Sequence, residues 1–238
     1  MNILILGYGK MGKTIEGIAQ QRGHNISYII DADSKENLAT IDPQKVDIAI
    51  EFSQPEAAYA NIKFCLENQI PVVSGTTGWL EKRSEIENLC QQKNGMFFYA
   101  SNFSIGVNIF FKLNKLLAQM MDPQPAYDVK MEEIHHIHKK DSPSGTAITL
   151  AEGIMGQLER KNKWELAPSK DTSAIEIQDV REGEVPGTHT ITYTSGIDDI
   201  EIKHTAHGRQ GFALGAVLAA EWAADKKGIL GMNDFLKL

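Results

Sequence analysis

The chain has 238 residues, 42% hydrophobic and 23% charged, with a formal net charge of −7 at pH 7. These values are ordinary for a globular protein of one large or two smaller domains. The acidic balance, without a broad basic stripe, argues against nucleic acid as a partner, and no run approaches the ~20 apolar residues of a membrane helix. Two cysteines, Cys65 and Cys90, are too few for a disulfide framework, so we interpret them as reduced thiols in a cytoplasmic protein.

The first elements are typical of a dinucleotide-binding unit. An apolar run at 2–6 precedes a glycine loop, then a helical stretch follows, and a second apolar run ends at Asp31. This order and spacing match the requirements for binding NAD or NADP, with the pyrophosphate at the helix N-terminus. Gly7 permits the tight turn, Gly9 lets backbone approach the pyrophosphate, and Gly12 allows close helix packing. The whole loop is Gly7, Tyr8, Gly9, Lys10, Met11 and Gly12.

Strands and helices continue to alternate up to residue 103. Strands are predicted at 46–52, 70–74 and 96–100, and helices at 55–68 and 81–93. Such alternation predicts a parallel sheet with right-handed crossovers, whose ligands bind beyond the carboxyl ends of the strands. The segments expected there, as cofactor contacts, are Gly75, Thr76, Thr77 and then Ala100, Ser101, Asn102, Phe103. For residues 75–78, a plain turn with a threonine N-cap is the alternative.

Beyond Phe103 the pattern changes to a mixed block. Helices are predicted at 107–121, 146–160 and 211–224, strands at 127–133, 175–180, 187–195 and 199–205, and a mobile loop at 161–172. The expected fold is α/β, with a Rossmann-type parallel-sheet domain and a second α+β domain carrying an open mixed sheet. We assign residues 1–103 and 209–238 to dinucleotide binding and 104–208 to substrate binding and oligomerisation. Hinge segments are expected at 101–103 and 209–211.

The most informative stretch runs from Glu133 to Ala147. Three histidines and two lysines lie within six residues, directly before a Ser-Pro-Ser-Gly-Thr helix start. Histidine suits proton transfer near neutral pH, and the first N–H groups of a helix suit a carboxylate or phosphate. A surface patch without function and a zinc site are the alternatives. No metal is expected, since adjacent histidines on extended backbone point to opposite faces and at most two could converge.

This stretch resembles the signature of the dihydrodipicolinate reductase family. The matching run is His135, His136, Ile137, His138, Lys139, Lys140, Asp141, Ser142, Pro143, Ser144, Gly145, Thr146 and Ala147. Residues 7–12, 75–78, 101–108 and 211–219 are similar to that family's pattern in the same order, so that essentially the whole chain is covered. The resemblance implies reduction of 4-hydroxy-tetrahydrodipicolinate, a small cyclic dicarboxylate of the diaminopimelate and lysine pathway, with NADH, NADPH or both.

The resemblance also implies roles for individual residues. His135 would donate the proton, and Lys139 would be the second catalytic residue. The substrate carboxylates would bind His136, Lys139, Gly145 and Thr146. Cofactor contacts would fall on residues 7–12, Asp31, 75–77 and 100–103. A homotetramer is implied as well.

Two other functions remain open at this point. A semialdehyde dehydrogenase would need a catalytic cysteine facing the nicotinamide, and Cys65 and Cys90 are both predicted on helices of the first domain. A nucleotide-sensing binding protein without turnover would tolerate the loss of His135 and Lys139.

Asp31 leads to a prediction about cofactor choice. A carboxylate there accepts hydrogen bonds from a ribose 2′-OH and repels a 2′-phosphate, although Lys10 and Lys13 offset part of that charge. Ala32 follows, where an NADP-selective protein often carries arginine. We therefore expect NADH to be used at least as well as NADPH when kcat/KM is measured for each. A hundredfold preference for NADPH would contradict this prediction.

Overall fold

The computed structural model describes residues 1–32, 37–208 and 210–238, so Arg209, a predicted hinge residue, lies outside the described residues. Two compact units are present: Met1–Ile105 with Gln210–Leu238, and Gly106–Arg209. The first elements are β1 (Asn2–Leu6), α1 (Lys10–Gln21), β2 (Asn25–Ile30), β3 (Ile48–Glu51), α2 (Pro55–Glu67), β4 (Val72–Ser74), α3 (Arg83–Gln92) and β5 (Met96–Tyr99). Then follow α4 (Ile105–Met121), β6 (Asp128–His135), α5 (Gly145–Met155), β7 (Lys163–Leu166), β8 (Ala174–Arg181), β9 (Thr188–Thr194), β10 (Asp199–Thr205), α6 (Gln210–Ala223), β11 (Gly228–Leu230) and α7 (Met232–Leu236).

The first unit is built on a six-stranded sheet in the order β11-β5-β4-β3-β1-β2. Every strand pair in it is parallel, which confirms the predicted Rossmann-type sheet. Successive residues of β1 face opposite sides. Ile3 and Ile5 pack in one apolar cluster with α1 and α6, whereas Leu4 and Leu6 pack in a second cluster with α2 and α3. A parallel sheet covered on both faces explains why its strands are almost uniformly apolar.

The second unit has a five-stranded sheet in the order β10-β9-β6-β8-β7. β9 pairs antiparallel with β6 and β10, while β8 pairs parallel with β6 and β7, so the predicted open mixed sheet is confirmed. Residues of α4 and α5, including Phe110, Leu150 and Ile154, form one apolar cluster with the sheet residues Met131 and Ile177.

Several predicted boundaries were wrong. Residues 161–172 are not a plain loop, because they contain β7, which pairs with β8 at the edge of the sheet. The side chain of Lys161 is buried there and donates to the carbonyl oxygens of Thr172 and Ala174, both at 2.8 Å. The helix predicted at 146–160 ends at Met155, where Gly156 takes the C-cap position. β6 continues two residues beyond its predicted end, which places His135 on the strand.

The three-residue strand β11 and the short helix α7 were not predicted, because segments of three to five residues carry little periodic signal. Within the ranges that the structure covers, no helix is long and apolar enough to cross a membrane.

Gly215 leads to a stability prediction for the first unit. A Cβ at this position of α6 would lie 1.8 Å from the carbonyl oxygen of Phe103, so backbone would have to move. We expect Gly215→Ala to lower the free energy of unfolding by at least about 2 kcal/mol in denaturant titrations. Gly17→Ala is the control, since its Cβ would meet nothing within 4 Å in α1, and it should be neutral or stabilising by up to ~1 kcal/mol. Equal stability of both variants would contradict the prediction.

Candidate active site

The glycine loop lies directly after β1. Gly7 has a φ of +92°, and a Cβ there would lie 2.1 Å from the carbonyl oxygen of Phe52. A Cβ on Gly12 would lie 2.2 Å from the carbonyl oxygen of Gly7. Backbone packing therefore requires both glycines. A Cβ on Gly9 would meet nothing within 4 Å, so this position leaves the loop surface open to a ligand.

The N-terminus of α1 faces the same loop. Gly9 is the N-cap residue and supplies no side-chain cap, so the first N–H groups of the helix keep their capacity to bind an anion. Beside the loop is a cavity of about 360 Å³, which Asp31 lines together with Ala32. Its other lining residues are Gly7, Tyr8, Gly9, Ile30, Phe52, Ser53, Gln54, Ala57 and Asn61. Open backbone, a helix N-terminus and a carboxylate beside the cavity fit a nicotinamide dinucleotide.

The sequence analysis missed the part of this cavity that follows β3. Phe52, Ser53 and Gln54 come directly after that strand, at the same carboxyl edge of the sheet as the glycine loop. The strand-edge rule could have indicated them, since β3 is the neighbour of β1.

A buried carboxyl group organises the 75–77 loop. Glu51 is 0% exposed and accepts hydrogen bonds from the hydroxyls of Ser74 at 2.6 Å and Thr76 at 2.9 Å. Glu51 also accepts two hydrogen bonds from Ser53, one from the N–H at 3.1 Å and one from the hydroxyl at 2.5 Å. The Thr76 side chain is thereby turned inward. The carbonyl oxygen of Thr76 accepts from the indole N–H of Trp79 at 2.8 Å, so the exposed Thr77 is the part of this loop most open to a ligand.

The 100–103 segment is divided between core and surface. Phe103 is 1% exposed, and its ring packs against Phe52 and Phe98 with centroid distances of 5.4 and 5.7 Å. Ala100 is also buried, whereas Ser101 is exposed. The Oδ1 atom of Asn102 accepts a hydrogen bond from the N–H of Ser104 at 2.9 Å. Phe103 is buried as a whole, and its carbonyl oxygen packs against Gly215 of α6, so the surface of this segment is formed by Ser101 with the half-buried Asn102.

In the second unit, His135 lies at the end of β6 in a buried polar cluster. Glu133 and His135 are two residues apart on the strand and share its buried face. The antiparallel pairing of β6 and β9 places His189 opposite Glu133. The Oε2 atom of Glu133 lies 3.4 Å from His135 Nδ1 and 3.4 Å from His189 Nε2. Ser144 donates its N–H to Oε1 of Glu133 at 2.8 Å and its hydroxyl to Oε2.

The remaining residues of the motif lie around this cluster. Lys139 is partly buried, and its Nζ atom donates to both carboxylate oxygens of Asp141, at 2.8 and 2.9 Å. His136 is half-buried. His138 is exposed and lies 3.2 Å from Glu184, and Lys140 is exposed as well. The motif thus separates into an inner group with His135, His136 and Lys139 and an outer group.

The predicted helix start is confirmed at α5. Ser144 is the N-cap residue, and its hydroxyl oxygen accepts a hydrogen bond from the N–H of Ala147 at 3.1 Å. Gly145 and Thr146 form the first turn, whose N–H groups have no acceptor within the helix. Because Ser144 also contacts Glu133, this helix start is tied to the histidine cluster.

Burial controls the charge of the cluster. It lowers the pKa of His135 to about 4, with the positive charges of Lys139 and Arg181 acting in the same direction and Glu133 opposing them. Burial alone would raise the pKa of Glu133, but hydrogen bonds from His189 and Ser144 hold it at about 2. Near neutral pH and without a ligand, the cluster contains an ionised Glu133 and a neutral His135.

The same cluster brings together side chains that can bind a metal ion. Among the residues that the structure describes, Glu133, His135 and His189 form the group whose ligand atoms lie close enough, within 4.8 Å of one another, to hold a metal ion. The zinc site considered from the sequence would have used His135, His136 and His138, which is a different group of ligands. The hydrogen bonds from Ser144 already occupy both oxygens of Glu133, and Lys139 and Arg181 place positive charge nearby. The chemistry of the group favours a proton over a metal cation.

Sequence reasoning missed Glu133 and His189 as members of the site. The spacing of Glu133 and His135 on one strand could have indicated that their side chains share a face. For His189 no local signal exists, because its position depends on the pairing of β6 with β9.

Fold and site together define a nicotinamide-dependent oxidoreductase with a Rossmann-type unit and a second unit built on a mixed sheet. Comparison with known proteins specifies it further. The model described as dihydrodipicolinate reductase, N-terminus, matches residues 1–103, and that of the C-terminus matches residues 106–236. The chain belongs to the dihydrodipicolinate reductase family.

Individual relatives agree with this assignment. The chain is 52% identical over 236 residues to the 4-hydroxy-tetrahydrodipicolinate reductase of Christiangramia forsetii, covering 99% of this chain and 98% of the relative. The reductase of Neisseria meningitidis serogroup B is 36% identical over 200 residues, covering 81% and 73%. The fold is similar to that of the dipicolinate-bound dihydrodipicolinate reductase of Paenisporosarcina sp. TG-14, with a TM-score of 0.78, 22% identity and 98% coverage of both chains.

The predicted activity is thereby confirmed. The chain is an NAD(P)H-dependent reductase of the pathway to diaminopimelate and lysine, with 4-hydroxy-tetrahydrodipicolinate as the family's substrate. The semialdehyde dehydrogenase alternative loses its support, because Cys65 and Cys90 are buried and burial raises the pKa of both thiols.

The low pKa of His135 leads to a prediction about pH and stability. An unfolded histidine has a pKa of ~6.5, whereas the pKa of folded His135 is about 4. Between these two pH values the unfolded chain therefore binds a proton at this residue that the folded chain does not bind. Stability should therefore fall as pH falls through this range, by on the order of 3 kcal/mol from this group. Burial also lowers the pKa of His204, which acts in the same direction. Denaturant unfolding at pH 7.5 and 4.5 measures the effect.

The variant His135→Gln should lose much of this pH dependence. His138→Gln is the matched control, because its side chain is 69% exposed. Equal pH dependence in the wild type and His135→Gln would contradict the prediction.

Proposed function

We propose that His135 donates the proton in the reduction of 4-hydroxy-tetrahydrodipicolinate, while Lys139, His136 and the first turn of α5 bind its carboxylates. The observation that carries the proposal is the buried His135 beside a counter-charge, Glu133, with Lys139 and a helix N-terminus nearby. Solvated surface histidines have no need of such an arrangement.

The reaction needs one proton at a defined place. Overall, water leaves the substrate ring, and one hydride and one proton enter it. The bound cofactor supplies the hydride. Addition to the conjugated ring leaves an electron-rich enamine carbon, and this carbon takes the proton from His135. A positively charged Lys139 stabilises the negative charge that develops on the ring and its carboxylates.

The dicarboxylate substrate itself supports the acid form of His135. In the free protein, burial and the charges of Lys139 and Arg181 keep this imidazole neutral. A bound dianion offsets those positive charges and favours the imidazolium. Asp141 holds Lys139 in the free state through two hydrogen bonds, and a substrate carboxylate would compete for the same Nζ donor.

The cofactor would be held by the first unit. In this proposal the loop of Gly7, Tyr8, Gly9, Lys10, Met11 and Gly12 binds the pyrophosphate with the start of α1. Asp31 would accept hydrogen bonds from the adenosine ribose. Residues 75–77 and 100–103 would also contact the cofactor, with Thr77 and Ser101 as their exposed members. Residues 1–103 and 209–238 would then be the dinucleotide domain, and 104–208 the substrate and oligomerisation domain.

A cytoplasmic homotetramer completes the proposal. β10 is an edge strand on which every residue is exposed or only half-buried, with Ile200 among the exposed apolar side chains, and Ile197 on the preceding turn is 93% exposed. Apolar side chains on an open sheet edge support association between copies. The buried free cysteines fit a reducing compartment.

Replacing the two proposed catalytic residues tests the proposal. We expect His135→Ala and Lys139→Ala each to lower kcat by roughly two orders of magnitude or more, the scale of general acid–base groups. Turnover is followed by NADH absorbance, with pyruvate and aspartate semialdehyde supplied through the upstream synthase. His138→Ala and Lys140→Ala are matched controls in the same motif, and both should stay near wild type. Near-normal turnover of both catalytic variants would refute the assignment.

A further inference from the structure

We propose that Glu133 is a positioning residue for His135: its carboxylate keeps a proton on Nδ1 and serves as the counter-charge of the imidazolium, so that Nε2 carries the reacting proton. The inference rests on the proposed function of His135. Glu133 is 0% exposed, so it would act through its neighbours.

The inner side of the imidazole ring supports this role. The Nδ1 atom is buried and makes no regular hydrogen bond, and Oε2 of Glu133 lies 3.4 Å from it. A bare nitrogen lone pair facing a carboxylate would be repelled, whereas an N–H group is attracted. The separation is longer than a regular hydrogen bond, which is common for catalytic groups before the ligand binds. We therefore place the resting proton on Nδ1.

A residue without a side chain lies next to Nε2, on the outer side of the ring. Gly187 lies beside it with a φ of +154°, a conformation that favours glycine. A Cβ on this residue would lie 3.1 Å from Nε2 of His135. The two nitrogens thus have opposite surroundings, a carboxylate at Nδ1 and a glycine backbone at Nε2. Because Nδ1 is buried, Nε2 is the nitrogen that would exchange a proton with a substrate.

Glu133 is itself fixed on several sides. Ser144 donates two hydrogen bonds to it, and Nε2 of His189 lies 3.4 Å from Oε2. The rings of His135 and His189 meet edge to face with centroids 5.1 Å apart. With its oxygens held by these partners, the carboxylate has no freedom to rotate away from His135. Ser144 also caps α5, so the proposed carboxylate-binding turn and the proton donor share one anchor.

The charges around the cluster leave Glu133 as the counter-ion. Lys139, Arg181 and His189 face His135 and oppose its protonation, and His204 lies near His189. Asp141 and Asp179 are engaged by Lys139 and Arg181. Over the described part of the chain, Glu133 is the carboxylate within ion-pair distance of His135.

The proton step balances around these two atoms. In the complex, the Nε2–H bond of the His135 imidazolium breaks and its proton forms a C–H bond with the enamine carbon. The electron pair of the broken bond stays on Nε2. His135 is left neutral with its proton on Nδ1, facing Glu133, and takes a new proton from solvent at Nε2.

The tautomer of His135 in the wild-type protein is the first test. Histidine labelled with ¹⁵N in the ring distinguishes the two nitrogens by NMR, and comparison with His135→Gln assigns the signals. We expect a neutral ring with the proton on Nδ1 in the free protein at pH 7.5. A ring with its proton on Nε2 would overturn the proposal, and this result needs no altered Glu133.

The pH profile of Glu133→Gln is the second test. Loss of the counter-charge should make the imidazolium less favourable, so the descending limb of kcat against pH should move at least about one unit lower. At pH 8, kcat should fall at least tenfold, while KM for the substrate changes less than threefold. Glu133→Asp keeps the charge, so the pH of its descending limb should lie between those of Glu133→Gln and the wild type.

Glu132→Gln is the matched control, because Glu132 is the exposed neighbour on the same strand. A merely structural role of Glu133 would lower activity without moving the limb, and a limb at the wild-type position would overturn the inference. If Glu133→Gln fails to fold, the NMR measurement of the His135 tautomer in the wild-type protein tests the inference by itself. Failure of the proposed function is a different result: the wild type would turn over no substrate, or His135→Ala would remain active.

Discussion

A buried carboxyl group must collect hydrogen-bond donors, and this constraint shapes both halves of the molecule. Leaving such a group unpaired in the interior costs several kcal/mol. Glu51 meets the requirement with donors from Ser53, Ser74 and Thr76. Glu133 meets it with two hydrogen bonds from Ser144, and a ring nitrogen of each of two histidines lies 3.4 Å from it. Each glutamate lies at or near the end of a strand and fixes the positions of neighbouring loops, which carry the residues proposed to bind cofactor and substrate.

The two glutamates differ in what they control. Glu51 is surrounded by hydroxyl groups and a backbone N–H, so its effect is on shape: it turns the side chain of Thr76 inward. Glu133 is surrounded by groups that can exchange protons, so its effect is on charge. It favours a proton on His135, while burial and two nearby cations oppose that proton. In the proposed mechanism a bound dianion changes this balance, so that proton donation would depend on the presence of substrate.

Glycines are required at two places, the loop after β1 and the surroundings of His135, where a side chain would be in the way. Gly7 and Gly12 let the loop and α1 pack against backbone at distances that exclude a Cβ. Gly187 leaves space beside Nε2 of His135. In the first case the absence of a side chain allows the glycine loop to form, and in the second it leaves space beside the proposed proton donor. Both positions lie at strand or helix ends, where function is usually found in folds of this class.

The sequence by itself determined the parallel sheet, the glycine loop, the start of α5 and the family. All of these depend on local patterns: apolar periodicity, glycine spacing and a contiguous motif from His135 to Ala147. Only the tertiary structure decided the composition of the histidine cluster. His189 joins it 54 positions after His135 (189 − 135) because β9 pairs with β6 in one register, and strand register is not a local property. The burial of Phe103 and Thr76 is likewise not a local property, so only the tertiary structure shows it.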